Sequence, residues 1–483
     1  MLQPMELLSD RPISAGEGLA LLRPCLAPGS RAVLAVSGGA DSLALLVLAG
    51  EAAPALAALG VSLSVATVDH GLRRESADEA RFVAKMAARC GLPHTILRWD
   101  GAGAAPNLSA RAREARYALL AEEARARGAG AVLTAHHRDD QVETHLLAAA
   151  RGATGPRLAG MRPVRALAPG LVLARPFLGV PAARLRRSLS ARGLRWVEDP
   201  TNSDPAYARA RLRARLAAQG FDEAGIAAAL ARAGEERAQA ERALVRFLRG
   251  QAGLSVGEAG DIRFSQAAFA AAPLCVALDF LARAVTAAGG SAQPASREKI
   301  ARLGGRLRGG GIVHATLGGC RLGAGAGAVA LSREFGRRGP DVVRPAPGRR
   351  HAVFDGRFDV VHEEAAARIE AFGRLGRGNA LEATLPVVTQ EGGRVLAAHR
   401  GLLRKLPKGT AVLAATQRVG WRLLADLDIE EAMLTGVGQI AANPPEPVGK
   451  KWGDHYLHPD GRGVEIDSAT ARNEVTAQFQ DGP

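Results

Sequence analysis

Paired cysteines are missing from this sequence. Cys25, Cys90, Cys275 and Cys320 stand far apart, and no CxxC occurs. That argues against a zinc ribbon, which needs clustered thiolates, and against a redox dithiol. Aromatic residues are scarce at 4%. Proteins that read splayed RNA bases usually stack them on rings, so base contacts here should be sparse or made by guanidinium planes. Lysine is nearly absent. Lys85, Lys299, Lys405, Lys408, Lys450 and Lys451 are the only lysines among 63 cationic residues. No Walker-type loop (GxxxxGKS or GxxxxGKT) is present. The reading finds no apolar run long enough to span a bilayer. The first 30 residues carry Glu6, Asp10 and Glu17 and lack the basic-then-apolar order of a signal peptide. A cytoplasmic protein without a membrane partner is expected.

What is abundant is arginine, and the net charge is +15. The guanidinium fork binds phosphate at two points, so nucleic acid is the natural partner. An Ala, Gly and Arg bias in the coding DNA is the plain alternative source of that charge. A length of 483 residues predicts about three domains.

One stretch organises the chain. Val33 to Val36 reads as a strand, Ser37-Gly38-Gly39-Ala40-Asp41-Ser42 as a turn, and the Ala/Leu run after it as a helix. Glycines let backbone N–H groups close around an anion. The helix N-terminus adds unpaired N–H groups and partial positive charge. A glycine turn of any α/β protein is the bland alternative. Ser37, Asp41 and Ser42 weigh against it by crowding hydroxyls and a carboxylate around the turn.

The organisation follows in order. Residues 1–30 read as a helical preface. Strands are predicted at 61–68, 94–99, 131–135 and 171–174, alternating with helices at 42–58, 76–90, 107–127, 139–151 and 181–192. Ser76 with Glu79 reads as a capping box, and Asn107 as a cap. Alternation of this kind predicts an α/β fold, a parallel doubly wound sheet, over residues 31–218. Ligands then bind at the carboxyl ends of the strands. Residues 219–335 read as a mainly helical linker domain with a hairpin-like piece and a glycine-rich stretch at 318–327. Arg333 to Arg338 with Gly339-Pro340 reads as a linker. Residues 341–403 read as a small α+β domain, with alternation around Asp355-Gly356. Residues 404–483 remain unassigned, helical at first and partly disordered at the end.

Three further clusters carry chemistry. Asp140 and Glu143 lie one turn apart at a helix start, four and seven residues after His136. Such a set serves a metal or proton transfer, or its acids simply favour the helix N-terminus. Arg113 and Arg116 share a helix face, where a solvated cationic face is the alternative. Tyr207, Arg209, Arg211, Arg213 and Arg215 follow a turn-forming Asp199 to Asp204. On a helix that row faces two ways, toward an RNA phosphate path or toward solvent.

SGGADS resembles the SGGxDS loop of the PP-loop ATP pyrophosphatases, which split ATP into AMP and pyrophosphate. Together with VDHGLR, ARAREARY, TAHHRDDQVET, RGATGPRLAGM and LRWVEDPTNSD in that order, it resembles the tRNA(Ile)-lysidine synthetases over Arg31 to Arg215. VFDGRFDV and LPVVTQEGGRVLAAH resemble that family's C-terminal tRNA-binding domain more weakly. The resemblance implies adenylation of the C2 oxygen of a cytidine in the CAU anticodon of tRNA(Ile), then displacement of AMP by free L-lysine. It implies that Ser37, Gly38, Gly39, Ala40, Asp41 and Ser42 hold ATP, that Mg2+ bridges pyrophosphate oxygens near Asp41, and that Asp140 is the base. His136 would line the site. Arg113 and Arg116 would offset phosphate charge. His70, Glu143, Arg209 and Arg213 are candidates for contacting the substrates. Two positions depart from the family: Ser109 stands where Glu is frequent, and Ala210 where Asn is. A PP-loop tRNA thiolase and a non-catalytic tRNA-binding relative are the rival readings. The first needs paired cysteines to deliver sulfur, and the second leaves Asp41, Asp140 and Glu143 unexplained. The oligomeric state stays open, a homodimer included.

Overall fold

The computed structural model describes residues 11–71, 76–99, 108–198, 204–250, 253–345, 351–362, 368–390, 392–425 and 427. Leu72, Arg73, Asn107, residues 199–203 and residues 428–483 lie outside these, as does the side chain of Ser109. The chain divides into two units, Met1–Gln239 and Ala240–Pro483.

In the first unit α1 (Ala15–Leu22) precedes β1 (Arg31–Ala35), and α2 (Ala40–Ala57) follows it. Then come β2 (Ser62–Asp69), α3 (Ser76–Arg89), β3 (His94–Arg98), α4 (Leu108–Ala126), β4 (Ala131–Leu133) and α5 (Arg138–Ala149). β5 (Val164–Ala168), β6 (Leu171–Ala174), α6 (Ala182–Ser190) and α7 (Ala208–Gln219) complete it, and α8 (Glu223–Arg249) leads out. The sheet order is β3-β2-β1-β4-β6-β5. Leu34 of β1 pairs with Val65 on one side and Leu133 on the other, both in parallel. Neighbouring β1 residues point to opposite faces. Leu34 therefore packs in the core under α2, and Val33 in the core under α4. Each such fully buried side chain contributes roughly 1.5–3 kcal/mol.

The sheet is parallel except at one edge. β5 runs antiparallel to β6, and the sequence reading had recognised only β6. Pro163 and Pro169 flank β5 and disguise it as a loop, yet an edge strand tolerates proline at its ends. A second correction concerns α2. Its 18 residues are long and apolar enough to cross a membrane by composition. Leu43, Leu45, Leu46 and Leu48 are instead packed against the sheet, as expected for the central helix of a doubly wound fold. Order reversal falls at β1, whose neighbours are β2 and β4. The loops leaving β1 and β4 thus flank the switch point, where such sheets bind ligands.

The second unit opens with β7 (Ser255–Val256), β8 (Ile262–Ser265), α9 (Gln266–Ala271), α10 (Leu274–Ala288) and α11 (Arg297–Arg308). β9 (Val313–Leu317), β10 (Cys320–Gly325) and β11 (Ala328–Arg333) follow, in the sheet order β7-β8-β11-β10-β9. The region read as mainly helical therefore also holds a five-stranded antiparallel sheet. Its glycine-rich stretch is two tight hairpin turns around β10. Gly318-Gly319 and Ala326-Gly327 all have positive φ, as two-residue hairpin turns require.

β12 (His351–Phe354) and β13 (Phe358–Val361) form a hairpin around Asp355-Gly356, within the stretch whose alternation predicts a small α+β domain. β14 (Arg368–Ala371), β15 (Pro386–Thr389), β16 (Val395–Ala398), β17 (Ala411–Val412), β18 (Ala414–Gln417) and α12 (Val419–Leu424) end the described chain. β18 joins β12 and β13, and β17 joins β16. The stretch after Arg404, expected to be helical, thus adds strands to both sheets before the short α12. Arg333 is not part of a linker. It ends β11 and binds Asp355 through Nε at 2.8 Å, and fully buried Arg357 binds the same carboxylate at 2.8 Å.

Candidate active site

The loop after β1 turns on two glycines. Gly38 adopts φ 94°, a conformation that costs a Cβ-bearing residue roughly 1–2 kcal/mol. Gly39 caps α2 with no side chain over its end, which leaves the first N–H groups of the helix open. Ser42 latches the loop: its Oγ accepts from Ser37 N at 3.1 Å and donates to Gly39 O at 3.0 Å. The stretch around Trp196 docks here too, because Val197 N donates to Gly38 O at 3.1 Å.

Asp41 reaches from this loop to the residues after β4. His137 Nε2 lies 3.4 Å from Asp41 Oδ2 and 3.5 Å from Asp140 Oδ2. Its Nδ1 lies 3.5 Å from Asp139 Oδ2. Burial alone would lower the His137 pKa, but Asp139, Asp41 and Asp140 outweigh it and push it up to about 10. His137 is therefore an imidazolium at neutral pH. Asp139 is held down at about 2 against the cost of burial by His137 and by the Ala182 N–H, 2.9 Å away.

Asp140 has two jobs. It closes a capping box on α5 by accepting from His137 N at 3.1 Å, and it faces Asp41 across the imidazole. One turn on, Glu143 is 3% exposed. Arg213 Nε donates to it at 2.5 Å, and Arg209 Nε lies 3.7 Å away. Burial lowers the Arg213 pKa, yet Glu143 more than offsets this and leaves it raised. The arginine row of α7 splits as helical geometry demands. Arg209 and Arg213 face the acids, whereas Arg211 binds the carbonyls of Pro205 and Ala206, and Arg215 binds Gln219.

Residues 15–220 match the PP-loop domain family ATP_bind_3. The chain is 42% identical over 344 residues to the tRNA(Ile)-lysidine synthase of Methylobacterium nodulans, covering 68% of this chain and 98% of that one. It is 45% identical over 303 residues to that of Bradyrhizobium diazoefficiens, covering 61% and 82%. With that of Rhizobium meliloti it shares 36% identity over 396 residues, covering 78% and 83%. The chain belongs to the tRNA(Ile)-lysidine synthase family.

The remaining candidate residues of this lysidine synthase family member fall into two groups. His136 faces Thr134, whose Oγ1 is 2.9 Å from its Nδ1. Burial, together with Arg175, Arg113 and Arg209, lowers its pKa to about 3 against the pull of Asp140. It is neutral where its neighbour is charged. At the end of β2, Arg116 Nη2 lies 3.5 Å from His70 Nε2, and the His70 ring meets Trp99 edge-on at 6.0 Å. Asp69 beside them ties the local chain, accepting from Ser76 Oγ at 2.6 Å and Gly71 N at 2.9 Å.

The residue that reaches the loop is His137 rather than the expected His136, since nothing in an adjacent pair says which ring turns toward it. Also unexpected are Gln141 and His145. Their side chains pin the RGATGPRLAGM loop: Gln141 Nε2 donates to Met161 O at 3.0 Å, and His145 Nδ1 lies 2.8 Å from Leu158 O. The Ala210 departure leaves Arg209 in reach of Glu143, with Ala210 buried on α7. All four cysteines are free thiols.

Asp41 Oδ1 is buried without a hydrogen-bond partner. That orphaned carboxylate oxygen fits Mg2+, which takes one or two carboxylates and completes its shell with water and phosphate oxygens. Among the described residues no three-residue His, Cys, Asp or Glu cluster could hold a metal alone.

Proposed function

We propose that this protein forms lysidine in tRNA(Ile) at a site centred on the Asp41–His137–Asp140 chain. The loop of residues 37–42 receives the ATP phosphates. The C2 oxygen of the anticodon cytidine attacks the α-phosphorus, the α–β anhydride bond breaks, and pyrophosphate leaves. The ε-amine of free L-lysine then attacks C2, and the C2–O bond to AMP breaks. A carbonyl oxygen leaves poorly, and AMP leaves well. Mg2+, held by Asp41 and the pyrophosphate oxygens, would supply neutralisation of the leaving charge.

The chain's own residues do the rest. His137 lies between Asp41 and Asp140 and offsets the repulsion between them. Asp140 takes the proton that the ammonium group must lose before attack. Glu143, held by Arg213 and Arg209, turns a fixed negative charge to the same edge and suits an ammonium group. The observation that carries this reading is the shared imidazole, which couples the ATP loop to the acids that would handle lysine. tRNA, ATP and free lysine meet in the cytoplasm, which supports that location.

The test is incorporation of labelled lysine into tRNA(Ile) bearing a CAU anticodon. Incorporation must require ATP and release one pyrophosphate for each lysine added. No incorporation with that tRNA, or incorporation without ATP, would reject the reading.

A further inference from the structure

Three guanidiniums gather around one tyrosine at the carboxyl edge of the first unit's sheet. Arg113 Cζ and Arg165 Cζ each lie 5.1 Å from the centroid of the Tyr117 ring. The third, Arg175, is 4% exposed. Its Nη1 donates to Arg162 O at 2.7 Å, and its Nε is buried with no hydrogen-bond partner. Among the described residues, the partners of these arginines are the Tyr117 ring and the carbonyls of Ala166 and Arg162, with no carboxylate. A ring face attracts a cation but does not neutralise it. Buried cations are normally paired, and buried Arg175 has no carboxylate partner among the described residues.

The group faces the reaction. Thr134 N donates to Ala174 O at 3.0 Å, so the chains leading to His136 and Arg175 leave the sheet side by side. Burial first, then Arg165 and Arg113, bring the Arg175 pKa to about 10 against the opposing pull of Tyr117. Arg175 and Arg113 also act on His136. The antiparallel edge hairpin β5–β6 explains the arrangement, because it brings Arg165 and Arg175 to the helix that carries Arg113.

We infer that Arg165 and Arg175, with Arg113 positioned on the Tyr117 ring, form a phosphate-binding site beside the Asp41–His137–Asp140 chain. Forked guanidiniums without carboxylates match a phosphate ester better than any neutral ligand. The phosphate comes either from the RNA backbone next to the target cytidine or from ATP. This inference rests on the proposed function for its choice of those two sources.

Arg165→Gln and Arg165→Lys, with unchanged thermal midpoints, are the test. Binding of tRNA(Ile) is measured against salt, and ATP binding is measured without tRNA. Loss of about one unit from the salt slope on Arg165→Gln, with a roughly tenfold weaker Kd, identifies an RNA phosphate. A comparable loss confined to ATP identifies a nucleotide phosphate. Partial recovery by lysine supports either. Unchanged binding of both ligands overturns the site. These assays need no turnover. Failure of the proposed function would show instead as wild-type protein that binds both ligands and adds no lysine.

Discussion

His137 Nε2 lies 3.4 Å from Asp41 Oδ2. That contact joins the end of one strand connection to the next across the switch point of the sheet. It also sets a cation beside the 37–42 loop that no residue of SGGADS supplies.

Replacing His137 by Gln should keep the fold and leave Asp41 and Asp140 facing each other without a charge between them. Pyrophosphate release and lysine transfer should both slow, each by roughly tenfold or more, since about 1.4 kcal/mol corresponds to tenfold. Single-turnover assays of the two steps check this. An effect on only one step would disconnect the imidazole from the other carboxylate.

The stability that His137 contributes has a definite pH window. Its pKa lies near 10 in the folded chain against an ordinary 6.5. A raised pKa means stabilisation present in full below about pH 6.5 and lost as pH rises through about 10. Denaturation curves of the wild type and His137→Gln should differ most at neutral and lower pH and converge in alkali. Divergence that grows with pH would contradict the assignment of the proton.

Asp41→Ala should abolish AMP transfer, whereas Asp140→Ala should still release pyrophosphate and stall at lysine attack. Losses of at least about a hundredfold are expected for a general base. Equal loss of both steps in Asp140→Ala would remove its assignment as the base.

The two loop glycines should behave differently. Gly38 has φ 94°, so Gly38→Ala should destabilise the fold by roughly 1–2 kcal/mol. A Cβ on Gly39 meets nothing nearer than 3.9 Å. Gly39→Ala should therefore unfold like the wild type and yet bind ATP more weakly, because the methyl group would stand where the phosphates approach. Equal unfolding curves for the two variants would refute the distinction.

Arg213→Ala leaves the buried Glu143 carboxylate with only the more distant Arg209. The cost should be about 1–3 kcal/mol, as for an unsatisfied buried acceptor. Glu143→Gln in the same background should recover part of it, and a double-mutant cycle reads the coupling. If the two changes add independently, the short contact has no energetic meaning.

The sequence by itself determined the first unit's alternation, the glycine turn after its first strand and the one-turn spacing of Asp140 and Glu143. These depend on local periodicity and on turns that only glycine or a capping side chain can make. It also determined the strand alternation around Asp355-Gly356, where both residues take positive φ. Tertiary structure decided what lies between elements distant in sequence. It decided that His137 and not His136 turns to Asp41, that Arg209 and Arg213 hold Glu143, and that Arg333 and Arg357 share Asp355. It decided that Val164–Ala168 is a strand, through ladder bonds to β6 that no local propensity encodes. The physical reason is common to all of these. A charge's partner is chosen by proximity in space, and proximity between residues tens of positions apart exists only once the sheet has set its strand order.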